Sequence, residues 1–349
     1  MQRTQIGIPS LVRIKPGAMA RVGVYLARMR ASRVALLSSH GLPASILERF
    51  VASLSAEGIA LVHHTVVEDA SYEVATQLAP QLPTHGLALV GLGGGRALDV
   101  AKYVAHLASL PYVAVPTSLS NDGFASPSAS LTVESRRRSF GCSLPVGVVV
   151  DTAICLDAPT PLWLSGIGDV AAKATAIVDW KLAFHARAEP IDDLAALLSD
   201  ATVFQLVGRT TRDLEGERLL ATALLLNGVA MEMAGSTRPA SGSEHLVSHA
   251  LDRYASRPRL HGLQVGMAAY LVSAFQRGSR ERVEKLLVGT GFFDAIRADP
   301  FVRDEWLDAF RHAPEMKHDF HTVLTGRDDV LTRVATMIDE DPLLGGCFQ

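Results

Sequence analysis

Leu87-Ala-Leu-Val-Gly-Leu-Gly-Gly-Gly-Arg-Ala-Leu-Asp99 reads as a buried strand, a glycine cluster and the start of a helix. Leu87–Val90 is apolar without a break, as in a strand covered on both faces. Glycines let a backbone approach a phosphate with no Cβ in the way, and a helix N-terminus offers N–H groups and a positive dipole end to an anion. Gly91 and Gly93 fit the G-x-G-x-x-G pattern, but Arg96 stands at its last position. A tight strand-to-helix turn without a ligand is the structural alternative.

Working outward, Val34–Leu37, Ala60–Val67 and Tyr112–Val115 also read as strands, with helical spacing over Pro43–Ala56, Tyr72–Leu82 and Ala97–Leu107. The glycine cluster thus follows the third strand. Strands alternating with helices of about 10–15 residues predict βαβ units and a parallel sheet. Between Ser128 and Val150 the period changes. Ala129–Val133, the charged segment Glu134–Arg138 and a second short strand suggest a hairpin with a solvated arginine tip, followed by a buried strand over Val146–Val150. After Pro159-Thr-Pro161 the texture is helical: Val170–His185, Ile191–Arg209, Glu215–Ala234, Val265–Arg277 and Arg280–Val288 carry apolar spacing near 3.6. A domain boundary near 155–165 follows.

Composition narrows the function classes. A chain of 349 residues corresponds to two domains at about 150 residues each. With 48% hydrophobic and 20% charged residues it has the material for large cores and is not a disordered chain. With 33 basic against 36 acidic side chains there is no positive excess to neutralise nucleic-acid phosphates. Three scattered cysteines, Cys142, Cys155 and Cys347, form no CxxC pair, so a reduced, cytoplasmic chain is expected. No apolar signal core opens the sequence, and no apolar run approaches the ~20 residues that span a bilayer. A homo-oligomer is the default expectation for a soluble enzyme.

Two further regions carry polar chemistry. Val115-Pro-Thr-Ser-Leu-Ser-Asn-Asp-Gly-Phe-Ala-Ser-Pro127 follows directly on a buried strand, so two neighbouring strands deliver polar loops to the carboxyl edge of the sheet, where open α/β sheets bind ligands. In the helical half, Gly166-Ile-Gly-Asp169-Val-Ala-Ala-Lys173, Gly242-Ser-Glu-His245-Leu-Val-Ser-His249 and Leu260-His261-Gly262 stand out. His245 and His249, four apart, share one helix face. Asp169, one of these histidines and His261 could form a three-ligand site with an open position, as in catalytic zinc. The alternatives are a core histidine pair and an ordinary surface ion pair between Asp169 and Lys173. His63, His64, His312, His318 and His321 have no such context and read as structural.

Together these segments resemble the sn-glycerol-1-phosphate dehydrogenase family, within the metal-dependent alcohol dehydrogenase and dehydroquinate synthase-like superfamily. The resemblance runs from about Ile8 to Leu324 and rests on Gly93–Lys102, Pro116–Pro127, Gly168–Lys173 with Asp179-Trp180, and Arg238–His249. It implies an α/β fold, with an N-terminal Rossmann-like parallel-sheet domain over 1–158 that binds the dinucleotide and a C-terminal all-helical domain over 159–349 that binds metal and substrate. It implies that Gly93, Gly94, Gly95, Arg96, Ala97, Leu98 and Asp99 hold the pyrophosphate of NAD or NADP. Thr117, Ser118, Leu119, Ser120 and Ser126 line the rest of the cofactor site. Asp169, His245 and His261 are implied as ligands of Zn2+ or another divalent metal, and Asp122 and His249 as substrate contacts.

The implied reaction interconverts dihydroxyacetone phosphate and sn-glycerol 1-phosphate, with no nucleic-acid or membrane partner. Alternatives on the same scaffold are a dehydrogenase of another polyol or specialised-metabolite alcohol, and a dehydroquinate synthase-like lyase or cyclase. Three positions depart from the family pattern: Arg96 where Lys is usual, Asn121 where His is common, and Leu263 where an acidic residue is expected. The end of the first predicted strand, Ser38-Ser-His-Gly41, carries neither the acid that favours NAD nor an arginine for a 2′-phosphate, which leaves both cofactors open.

Overall fold

The computed structural model describes residues 6–83, 86–134, 136–209 and 211–349. The chain forms two compact units, one of Met1–Ala158 with Asp213–Glu232 and one of Pro159–Arg212 with Met233–Gln349. The helical half expected as one block over 159–349 is thus interrupted by a helix that belongs with the first unit.

The first unit is built on strands β1 (Leu11–Lys15), β2 (Arg33–Ser39), β3 (Ala60–Val67), β4 (Leu87–Gly93), β5 (Tyr112–Pro116) and, beyond an antiparallel hairpin of β6 (Ser128–Val133) and β7 (Arg136–Gly141), β8 (Gly147–Asp151). Six of them form a parallel sheet in the order β1-β8-β5-β4-β2-β3. The connecting helices are α1 (Val22–Arg28), α2 (Ala44–Ser55), α3 (Tyr72–Leu78), α4 (Gly95–Ala108) and α5 (Thr152–Asp157). One core layer joins Val34, Leu36, Val90, Leu92, Val113 and Val115 of the sheet to Leu26, Phe50 and Leu54 of α1 and α2. The central strands β4, β5 and β8 are buried along their whole length, which explains their unbroken apolar runs.

β1 and α1 are additions to the expected pattern, so the glycine cluster follows the fourth strand. β1 is a five-residue edge strand, mostly half-buried, that among the described residues pairs only with β8; its mixed sequence LVRIK gives neither a buried run nor a clean alternation. The arginines Arg136–Arg138 are the exposed first half of β7, not the tip of the hairpin. At the turn, Glu134 adopts a φ of 49°, and Ser135 lies outside the described residues. The hairpin is pinned by Phe140, whose ring stacks on Tyr72 at 5.0 Å between centroids.

The remaining helices are α6 (Thr160–Arg187), α7 (Asp193–Leu206), α8 (Leu214–Ala234), α9 (Ser243–Tyr254), α10 (His261–Ser273), α11 (Arg280–Gly289), α12 (Phe292–Ala298), α13 (Arg303–His312) and α14 (Val330–Glu340). α8 supplies the segment that packs in the first unit: a Cβ on Gly228 would stand 2.0 Å from the Ala125 carbonyl oxygen. α6 starts ten residues before the expected Val170, because Pro161 occupies the first turn, where its missing N–H costs nothing, and the glycines inside the helix are packing surfaces, not stops. Across its 28 residues most side chains from Trp163 to Trp180 are buried. α10 likewise starts at His261, not Val265. In this unit Arg238 is a buried clasp: its guanidinium forks onto both carboxylate oxygens of Glu189, donates to the His321 carbonyl at 3.0 Å and lies 3.6 Å over the Phe320 ring.

Candidate cofactor and metal sites

In the first unit the chain runs from β2 outward to β3, then returns to lay β4 on the other side of β2. The carboxyl ends of β2 and β4 therefore border the point where the strand order reverses, the usual ligand crevice of an open α/β sheet. The glycines there do different things. A Cβ on Gly91 would meet the Ala101 Cβ at 2.9 Å, so this glycine lets α4 lie close on its strand. Gly93, at φ +136°, sits against Ser39 of β2, whose hydroxyl accepts the Gly94 N–H at 2.9 Å. A Cβ on Gly95 would have nothing within 4 Å. No protein packing accounts for that glycine, whereas an anion seated on the helix start would.

Helical bonding in α4 begins with Leu98 N–H donating to Gly94 O at 3.2 Å, so Gly95, Arg96 and Ala97 N–H belong to the unpaired first turn. Arg96 is exposed, and its Nη1 donates to Glu68 O at 3.4 Å. Ala97 and Leu98 are buried and offer only backbone outward. Thr117 N–H donates to Gly93 O at 3.0 Å, which fixes the loop after β5 beside the glycine turn. Thr117, Ser118 and Ser120 are half-buried there, and Leu119 is buried. Asn121, where His is common, caps the next turn by accepting the Gly123 N–H at 2.9 Å, and Asp122 is the first residue of that turn.

Asp99 and Ser126 have their side chains turned to Lys102. Lys102 Nζ lies 3.6 Å from the Asp99 carboxylate and 3.3 Å from Ser126 Oγ, and donates to Ser128 O at 2.7 Å. Burial pushes the Asp99 carboxyl up, with Lys102 and Arg137 pulling it back. This buried knot fastens the hairpin to α4.

In the second unit, donor atoms of Asp169, His245 and His261 lie within 4.8 Å of one another. Asp169 comes from the middle of α6, His245 from the first turn of α9 and His261 from the first residue of α10. Close helix crossings bring them together. A Cβ on Gly262 would stand 1.7 Å from the Ser165 carbonyl oxygen, and one on Gly242 would meet Ala176 Cα at 2.9 Å. His249, one turn beyond His245, is half-buried and lies outside the three-donor cluster.

The donors are pre-oriented. His245 Nδ1 lies 2.9 Å from Glu244 Oε1, and its Nε2 faces Asp169 Oδ1 at 3.7 Å. With Nδ1–H given to the carboxylate, the Nε2 lone pair is the one offered to a metal. Glu244 is held in turn by the Gly242 N–H at 2.6 Å and Thr175 Oγ1 at 2.8 Å. Burial first, then the charge of Asp179, pushes the Glu244 carboxyl up to about 7. Burial, followed by His261, Lys173, His249 and Lys317, holds His245 well below the usual histidine range, in the neutral form a ligand needs. Behind His261 Nδ1 stands Ser248 Oγ at 3.3 Å, which takes a 3.0 Å bond from Gln264. One carboxylate and two imidazoles, each with an outer partner, fit a borderline divalent cation with an open coordination position.

The Asp169–Lys173 pair is no surface feature: Lys173 is fully buried and donates to Asp169 Oδ1 at 2.9 Å and Ala240 O at 3.3 Å. Its sequence signal was the apolar and small company of Val170–Ile177 on every side of the helix. Asp179 accepts N–H bonds from Ser243 and Val323 at 2.7 and 2.9 Å and so anchors the start of α9. Asp179 carries no local pattern that marks its role, because Ser243 and Val323 come from distant segments, and Glu244, a sequence neighbour of His245, is fixed by the distant Thr175. Of the histidines read as structural, His63 pairs with Thr65, His64 with Ser38 and His312 with Glu315, whereas Nδ1 of His321 is buried without a hydrogen-bond partner.

The family model described as iron-containing alcohol dehydrogenase matches residues 13–159. The chain is 34% identical over 329 residues to the glycerol-1-phosphate dehydrogenase [NAD(P)+] of Aeropyrum pernix, covering 92% of this chain and 93% of that one. It is 33% identical over 341 residues to the protein of the same description from Methanothermobacter thermautotrophicus, covering 96% and 97%. Among solved structures, glycerol dehydrogenase from Schizosaccharomyces pombe superposes with a TM-score of 0.75 at 18% identity, over 99% of this chain and 92% of that one. That likeness is one of fold.

Proposed function

The chain belongs to the glycerol-1-phosphate dehydrogenase family, and on that footing we propose that it interconverts dihydroxyacetone phosphate and sn-glycerol 1-phosphate with NAD(P). The observation that carries the reading is the Asp169–His245–His261 cluster, with Glu244 fixing the His245 tautomer, in a chain of this family. When bound, the nicotinamide supplies the hydride and a divalent cation supplies Lewis acidity for the charge that builds on the carbonyl oxygen.

The chain's own residues do the rest. Asp169, His245 and His261 hold the cation, for which zinc is our assignment. The N–H groups of Gly95, Arg96 and Ala97 hold the pyrophosphate, and the half-buried hydroxyls of Thr117, Ser118 and Ser120 line the cofactor site. Asp122 and His249 bind substrate, and His249 holds the proton exchanged with the substrate oxygen. Leu98 and Leu119 shape the pocket from behind, and Asp99 and Ser126 act through Lys102 to keep the glycine turn and its neighbouring loop in register.

No helix among the described residues is long and apolar enough to cross a membrane. From its three free, scattered cysteines we read the enzyme as cytoplasmic. We read it as a homo-oligomer through α7, whose Leu194, Leu197 and Phe204 are 61, 66 and 58% exposed.

The test is a coupled assay of NADH and NADPH with dihydroxyacetone phosphate. The expected result is oxidation that disappears on exhaustive chelation and returns with added zinc. Full activity in metal-free protein would defeat the reading, as would tightly bound NAD that cycles without net change.

A further inference from the structure

We propose that Lys317 is the anchor for the substrate's phosphate group. This rests on the reading of the substrate as a small phosphorylated ketone or polyol, and adds the residue that recognises the phosphate.

Lys317 follows the 3-10 turn Ala313–Glu315, which packs on α9, the helix that carries His245 and His249. It is half-buried, with its ammonium 4.6 Å from the centroid of the Phe320 ring. Its hydrogen-bond partner is Thr237 Oγ1 at 3.4 Å, and among the described residues no carboxylate lies within 4.0 Å of it. The neighbouring cations are satisfied. Arg238, on the same Phe320 ring, is forked onto Glu189, and Lys173 is bonded to Asp169 and Ala240 O. Burial and the charge of Arg238 both disfavour the charged form of Lys317, while Asp319 and Glu244 act at longer range to favour it. Its partner Thr237 accepts the Ala240 N–H on its carbonyl at 2.9 Å, and the Ala240 carbonyl in turn takes a 3.3 Å bond from Lys173, the lysine bonded to Asp169. A chain of contacts through Thr237, Ala240 and Lys173 thus joins Lys317 to Asp169.

An ammonium withdrawn from water beside a guanidinium and without a carboxylate is costly to keep. A phosphate dianion would supply the missing partner, and lysine suits it as a compact point charge. Thr237 Oγ1 stands beside it as a second donor. In a chain of net charge −3, phosphate recognition must come from such a local cation, not from the overall field.

The experiment compares dihydroxyacetone phosphate with dihydroxyacetone in the zinc-loaded enzyme and its Lys317→Gln and Lys317→Arg variants. For the wild type we expect strong preference for the phosphorylated ketone and a rise in Tm with inorganic phosphate. Lys317→Gln should raise KM for dihydroxyacetone phosphate roughly tenfold to a hundredfold, as loss of a charge-assisted contact does. It should leave kcat/KM for dihydroxyacetone within about twofold and abolish the phosphate-induced Tm rise, while Lys317→Arg restores part of both. Equal losses on the two ketones would make Lys317 a packing residue and overturn the inference, as would a Lys317→Gln variant whose preference for the phosphorylated ketone equals that of the wild type. A wild type indifferent to the phosphate would overturn the substrate reading and this inference with it.

Discussion

Gly168 of α6 faces Gly262 of α10 so closely that a Cβ on Gly168 would stand 2.0 Å from the Gly262 carbonyl oxygen. Asp169 and His261, the next and the preceding residue, inherit their separation from that contact. Gly168→Ala should therefore force the helices apart, because the obstacle is backbone and cannot rotate away. We expect a stability loss of about 1–3 kcal/mol, typical of overpacking, and weakened metal retention. Urea midpoints and metal content after gel filtration measure both. A variant with wild-type values would show that the crossing does not set the site.

On the proposed function the i,i+4 histidine pair divides its labour, with His245 in the three-donor cluster and His249 outside it. His245→Ala should lose bound zinc and turnover while keeping its secondary structure. His249→Ala should keep its zinc and lose turnover. Elemental analysis beside circular dichroism distinguishes them, and a zinc-free His249 variant would contradict the division.

Glu244 accepts from His245 Nδ1 and should tune the metal without touching it. Glu244→Gln keeps the shape and removes the charge. Metal affinity, read by competition with a chromogenic chelator, should fall by roughly tenfold to a hundredfold, the usual effect of an outer-shell partner. An unchanged affinity would place Glu244 in a purely structural role.

The cysteines make a pH prediction. Burial pushes the thiols of Cys142 and Cys347 up to about 11, and Cys155 is buried as well. The thiolate is the reactive form, so at pH 8 roughly one Cys142 thiol in a thousand is ionised. Labelling by a disulfide reagent in the folded protein should be slow at pH 8 and rise about tenfold per pH unit towards 11. Unfolding should release all three at once. Rapid labelling of native Cys142 at pH 8 would contradict this.

The parallel sheet was legible because β4, β5 and β8 are covered on both faces and spell that out as uninterrupted apolar runs. β3 was found with its full bounds, Ala60–Val67, since turn-forming residues bracket it. β1 was not, since a short edge strand leaves a mixed pattern. In α6 and α10 the readable apolar spacing began late, because the residues that start these helices face a neighbouring helix and not a simple core side.

Local pattern was enough to establish the βαβ alternation and the glycine turn after a buried strand, while the set of Asp169, His245 and His261 was implied by the family resemblance of their segments. These depend on neighbours a few positions apart. What required the folded chain was partnership over long separations. Gly262 N–H meets Ser165 Oγ across 97 positions, and Ser243 N–H meets Asp179 across 64. Such contacts turned Lys173 from a surface ion pair into a fully buried one. They also turned Asp99 and Ser126 towards Lys102, assigned most of α8 to the first unit and left Gly95 as the member of the glycine turn with no protein atom against it. Burial and close backbone approach decide those roles, and neither is a property of a residue's immediate sequence neighbours.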